Sequence, residues 1–313
     1  MTLFLTKEKQ RETHNCFSHI NGNKDMSLSE VKNLIDPIWE SLTDLKIGGI
    51  LSIQSLEFKQ IFDYILYKTY ISEVKPNICL ETDLIISEDL LNFICRYLGV
   101  VEFKLQITLP TMKDKWEKKL FYHNLKILYE IFPIQNFFFN LNIDKDTIPS
   151  KELKALFKEF PKIKSIQITP LLYKKEKGYE PWNHKHLINP IYTYAKIAWK
   201  NKKETIITCS IYPCMFYPWQ YSKLITLSKS STLCKEDSLN ILGDTTISVC
   251  PILKNKCSDK INNWLSIETF YLDCVNKSRE DMKCHFSRCN NCKYFKIQLC
   301  NGPCHGCRGL NNI

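Results

Sequence analysis

Val101-Glu102-Phe103-Lys104-Leu105-Gln106-Ile107-Thr108-Leu109 alternates apolar and polar side chains along its whole length. Successive side chains of a β-strand point to opposite faces, so one face of this segment is apolar and the other hydrophilic. A central strand in a parallel sheet covered on both faces would be apolar throughout. The segment therefore reads either as a strand whose second face lines the wet interior of a half-open barrel, or as an edge strand. The elements around it favour the first.

Upstream, Ser27-x-x-Glu30 is a capping box, and Val31, Leu34, Ile35, Ile38, Leu42 and Leu45 follow at helical spacing. The pattern predicts a helix over 26–45, kinked at Pro37. An apolar strand is expected at 47–53, broken by Gly48-Gly49. A helix at 56–70 with Leu56, Ile61, Phe62, Ile65 and Leu66 on one side comes next. A strand at 77–80 and a helix opened by Ser87 complete this half. Downstream, the expected order is a helix at 113–132, a strand at 136–143 and a helix capped by Ser150 that stops before Pro161. A strand at 164–169, a helix near 188–200 and a strand at 204–209 follow. Strands alternating with helices predict at least five parallel βα units before residue 210, an α/β partial barrel. A doubly wound open sheet is the alternative. Residues 228–232, Ser-Lys-Ser-Ser-Thr, read as a linker that divides 1–227 from a cysteine-rich 228–313.

Hydrophobic residues make up 44% and charged residues 24% of the 313, the balance of a water-exposed folded protein with room for one large and one small domain. No apolar run is long enough to span a membrane, and the first residues lack a secretory signal, so the expected compartment is the reducing cytoplasm. A net charge of +10 invites a nucleic-acid or acidic partner, but the lysines are scattered along the chain and nucleic acid is not expected. No P-loop, paired-carboxylate motif or nucleophile–histidine–acid set stands out. His184 and His186 lie in a polar, aromatic loop after a predicted strand, where barrel loops line an active mouth. His285 and His305 flank cysteines. Phe137-Phe138-Phe139 reads as core strand, and Tyr212 to Trp219 as packing between the two halves.

Cysteine usage is the strongest chemical signal. Twelve of the fifteen cysteines lie beyond residue 208, and five close the chain as Cys289-x2-Cys292-x7-Cys300-x3-Cys304-x2-Cys307. In a reducing compartment such spacing favours metal over disulfide. Structural zinc would need the two CxxC pairs, Cys289/Cys292 and Cys304/Cys307. Four-iron–four-sulfur clusters also take four thiolates each, and the surplus of cysteines suits two of them.

The order Cys234, Gly243, Cys250-Pro251, then after a gap CxxC-x7-CxxxC-xx-C from Cys289 to Cys307 resembles the SPASM domain of peptide-modifying radical enzymes. The resemblance implies two auxiliary iron–sulfur clusters. It assigns Cys289, Cys292, Cys300 and Cys307 to one, and Cys234, Cys250 and Cys304 to the other. Cys214, Cys257 and Cys284 are candidates for the remaining ligand. The front half resembles a radical S-adenosylmethionine (SAM) partial barrel: a strand at 3–6, Cys16-Phe17 in the place of the last cluster cysteine and its aromatic, a helix, then Gly48-Gly49. Against that family Lys9 and Thr13 stand where two cluster thiolates are expected. Ile50 stands where a glutamate would meet the amino group of SAM. A retained tail with a degenerate cluster motif resembles the SPASM peptide maturases of grasp-with-spasm systems. That implies a ribosomally made precursor peptide and an ATP-grasp ligase as partners, without radical chemistry. The other functional readings are an oxidoreductase whose clusters carry electrons, and a zinc-stabilised binding module.

Overall fold

The computed structural model describes residues 1–5, 25–49, 52–97, 100–131, 136–143, 147–170, 185–207, 213–230, 240–241, 247–248 and 287–297. Its strands are β1 (Thr2–Phe4), β2 (Asp44–Gly48), β3 (Asn77–Thr82), β4 (Phe103–Thr108), β5 (Phe137–Ile143), β6 (Ser165–Pro170), β7 (Glu204–Ile207), β8 (Lys229–Ser230), β9 (Asn240–Ile241) and β10 (Ile247–Ser248). The helices between them are α1 (Leu28–Ile35), α2 (Phe58–Ile71), α3 (Glu88–Arg96), α4 (Lys115–Ile131), α5 (Ser150–Glu159), α6 (Lys185–Lys200) and α7 (Pro218–Leu227).

β1 to β8 lie side by side in chain order, each parallel to its neighbour. A doubly wound sheet reverses its strand order at a switch point, and none occurs here. Right-handed crossovers without reversal put every connecting helix on the same side, which leaves the other side as the inner wall of a partial barrel. β4 stands in the middle of the sheet, so the edge-strand reading of 101–109 is excluded. β9 adds to the far side of β1, with Thr2 opposite Asn240 and Leu3 opposite Ile241, and β10 pairs antiparallel to β9. Gly243 falls between those two strands, outside the described residues.

The register sorts the two faces. Ile47 faces Leu80, Leu80 faces Leu105, Ile107 faces Phe139 and Phe139 faces Ile166, all of them buried. This row joins the buried sides of the helices in one core. Phe58, Phe62, Phe93, Tyr97 and Phe103 interlock there, with Phe62 stacked on Phe58 at 5.3 Å and edge-on to Phe103 at 5.5 Å. Such aromatic pairs add to simple area burial.

Several sequence expectations need correction. The helix at 26–45 begins with its capping box intact: the Ser27 N–H donates to Glu30 Oε2 at 2.8 Å, and the Glu30 N–H to Ser27 Oγ at 3.3 Å. It ends at Ile35, because Pro37 cannot continue α-helical hydrogen bonding, and Asp36–Ser41 winds as a 3₁₀ turn. Leu45, counted as helical, belongs to β2, which starts three residues before the expected 47. Leu56 is fully exposed, not part of the buried face of α2. Ser150 is the first residue of α5 and gives it no side-chain cap. Within the segment 228–232, Lys229–Ser230 forms β8 beside β7, and Lys229 pairs with Glu204. In the 212–219 segment Pro213, Met215 and Phe216 are buried, while Tyr217 and Trp219 are exposed.

Candidate functional site

The inner face carries polar residues on strand after strand. Lys46 stands opposite Cys79, Glu81 opposite Gln106, Thr108 opposite Asn140, and Asn142 opposite Thr169. Their side chains are knitted together. Lys46 Nζ lies 3.0 Å from Glu81 Oε2 and donates to Gln106 Oε1 at 3.2 Å. Gln106 Nε2 donates to Glu81 Oε1 at 3.0 Å, and Thr108 Oγ1 to the same oxygen at 3.2 Å. Asn140 Nδ2 donates to Thr108 Oγ1 and to Asn142 Oδ1, and Thr169 Oγ1 to Asn140 Oδ1 at 2.8 Å. The network runs across five strands, from β2 to β6.

These groups cluster at the carboxyl ends of the strands, the end where βα barrels place their sites. Gly49, just past β2, has φ of 89°, a left-handed value that a side chain would disfavour. Its N–H donates to Glu81 Oε2 at 3.3 Å. After β3, Leu84 holds a positive φ of 59°. The loop is fixed there by the Leu84 N–H to Thr82 Oγ1, and by Asn124 Nδ2, which donates to the carbonyls of Leu84 and Ile86, each at 2.9 Å. A residue held in such a conformation needs surroundings that over-determine it, and this loop has them.

Glu81 is 5% exposed, and each of its oxygens accepts two donors. Burial is the largest single influence on Lys46 and works to lower its pKa, but the Glu81 charge, Cys79 beside it and the hydrogen bond to Glu81 together outweigh burial and hold the ammonium above the ordinary lysine value. A carboxylate so occupied by the chain's own donors is a structural element. The Lys46 side chain, 27% exposed, is the cationic edge of the cluster. Burial pushes the Cys79 thiol up to about 11, opposed by Lys46. It is therefore a neutral thiol at physiological pH and a poor nucleophile. At pH 8 iodoacetamide is expected to alkylate Cys79 far more slowly than the exposed Cys214, measured by mass spectrometry. Equal rates would contradict this burial.

Of the residues singled out from sequence, Cys289 and Cys292 can be placed. Cys289 lies in the short helix Ser287–Asn290 and Cys292 immediately precedes Lys293–Lys296. The Cys292 N–H donates to the Cys289 carbonyl at 2.9 Å, so both half-buried thiols leave one tight turn. That arrangement suits a thiolate pair for zinc or an iron–sulfur cluster. Cys214 is exposed in the 3₁₀ turn Pro213–Met215. Cys234, Cys250, Cys257, Cys284, Cys300, Cys304 and Cys307 lie outside the described residues, as do Lys9, Thr13, Cys16, Ile50, His184, His285 and His305. His186 falls in α6, but its side chain is not described. No group of three or more metal-ligating side chains occurs among the described residues.

Sequence reading found Gln106 and Thr108 as the polar side of β4 but missed Lys46, Glu81, Asn140 and Thr169. The alternation Phe138, Asn140, Asn142 between Phe137, Phe139 and Leu141 was the available signal. Phe138, read with the core, stands on the inner face, since it pairs with Gln106.

No family model matches the chain, and no curated protein matches it. Solved structures do. SuiB from Streptococcus suis bound to S-adenosylmethionine aligns with a TM-score of 0.63 at 13% identity, over 97% of this chain and 72% of SuiB. SuiB bound to the precursor peptide SuiA gives 0.64 at 13% identity, over 97% and 71%. SuiB alone gives 0.59 at 12% identity, over 97% and 72%. At this identity the likeness establishes a shared fold. No described helix is long and apolar enough to cross a membrane.

Proposed function

We propose that this chain is a peptide-maturation protein of radical-SAM architecture that works on a ribosomally made precursor alongside an ATP-grasp ligase, without making radicals from SAM. The observation that carries the reading is the likeness in fold, across nearly the whole chain, to a protein solved with its precursor peptide. Lys9 and Thr13, at two of the expected thiolate positions, cannot hold iron. The Gly49 N–H is engaged by Glu81, which supports an inner wall used for holding and orienting rather than for cleaving SAM.

Cys289, Cys292, Cys300 and Cys307 would hold one cluster, and Cys234, Cys250 and Cys304 most of the other. When bound, such clusters cross-link the chain and supply folding free energy to a segment with few long apolar runs. The test is anaerobic purification followed by iron, zinc and sulfide analysis and incubation with SAM and a strong reductant. The expected result is iron with matching sulfide and no 5′-deoxyadenosine. Catalytic formation of 5′-deoxyadenosine would overturn the proposed chemistry, and a colourless zinc protein would favour the binding-module reading. Material without iron or zinc would refute the assignment of the tail.

A further inference from the structure

We propose that the outer face built by α6 and α7 docks an acidic protein partner, held by exposed aromatic anchors between lysines. On α6, Tyr192, Lys196, Trp199 and Lys200 fall at i, i+4, i+7 and i+8, one stripe along the helix. On α7, Trp219 and Lys223 fall at i and i+4. The two helices are joined where the rings of Tyr192 and Trp219 meet edge to face at 6.4 Å, and Lys223 Nζ lies 5.5 Å from the Trp219 ring centre. Trp199 and Trp219 are 58% and 55% exposed, although large aromatics are ordinarily covered. Tryptophans exposed in this way, with the half-buried Tyr192 bracing one of them, are the side chains that dominate protein interfaces.

Charge selects the partner. Across 185–207 and 213–230 the sequence holds one acidic residue, Glu204, and it is paired with Lys229. On neighbouring α5, Glu152 and Glu159 pair with Lys118 and Lys126 of α4. Lys196, Lys200 and Lys223 are thus left with no acidic neighbour on either helix of the face. A second copy would bring the same positive face against itself, and like charges disfavour that. A membrane surface is the weaker match, because interfacial helices present a broad apolar side to the lipid. Here Leu187, Ile191, Ala195 and Ala198 are spent on the core. What remains is a few large anchors inside a cationic rim, the anatomy of a protein contact with an acidic counterpart.

The probes are a short peptide of alternating glutamate and leucine, its lysine–leucine counterpart, vesicles of phosphatidylcholine with phosphatidylserine, and a short DNA duplex. Binding to the full chain is followed by tryptophan fluorescence and by calorimetry. The acidic peptide is expected to bind saturably, with K196E/K200E/K223E weakening it about tenfold or more through loss of electrostatic complementarity. W199A/W219A should weaken it at unchanged charge. The triple change K151E/K154E/K158E on α5 should leave it nearly unaltered, with circular dichroism confirming that every variant is folded. Failure of the acidic peptide to bind overturns the proposal. So does an equal loss in the α5 variant, or tighter binding of vesicles or DNA through the same lysines.

Discussion

Glu81→Ala is expected to destabilise the fold by about 3–5 kcal/mol, because it leaves the Lys46 ammonium and three further donors facing a hole. The 27% exposure of the Lys46 side chain places the effect towards the lower end, since water reaches part of the orphaned charge. Glu81→Gln keeps the shape and some hydrogen bonds, so it should lie between wild type and alanine. Adding Lys46→Met to Glu81→Ala should recover much of the loss, since the unpaired cation is then gone. Denaturant unfolding of wild type, Glu81→Ala, Lys46→Met and the double variant closes the cycle. If the double variant is no more stable than Glu81→Ala alone, the pair is not the source of the effect.

Cys292→Ala should remove about half of the bound iron if the tail carries two clusters as proposed, because one cluster then loses a quarter of its thiolate ligands. The remaining cluster should keep its sulfide. The tail, deprived of one cross-link, should become the first segment cut in limited proteolysis. Cys16→Ala, at the degenerate amino-terminal motif, should leave iron and sulfide per chain unchanged. Metal analysis of the two variants beside wild type reads both outcomes. Full iron retention in Cys292→Ala would remove this cysteine from the ligand set, and complete iron loss in Cys16→Ala would reverse the proposed division between the two ends.

The fold was largely legible in the sequence because periodicity is a local signal. The alternation at 101–109, the capping box at Ser27 and the cap at Ser87 each depend on a few neighbouring residues, and each is present in the structure. The errors arose where one pattern ran into the next. Leu42 and Leu45 continued a helical spacing past Pro37, although the backbone had already turned toward β2. Two-residue strands such as β8 carry too few side chains to show a period at all. The inner-face network was less legible, because its members are far apart in the chain. Lys46 meets Gln106, and Glu81 meets Thr108, only after parallel strands have been brought into register. A glutamate near the end of a strand looks like a surface residue until the inner wall is known to be polar. The basic face on α6 and α7 was hidden in the same way: the lysines are scattered in sequence and gathered by helical geometry.

The pairing of Thr2 with Asn240 and Leu3 with Ile241 makes the earliest strand wait for one of the latest. At a synthesis rate of about 5–20 residues per second, roughly ten to fifty seconds pass before that seam can be sewn. During that interval the nascent chain presents a bare edge to its neighbours, and closing so long a loop is slow even when every segment is available. Any version of this polypeptide that stops short of residue 240 would keep the edge open for good, and aggregation would be its characteristic failure.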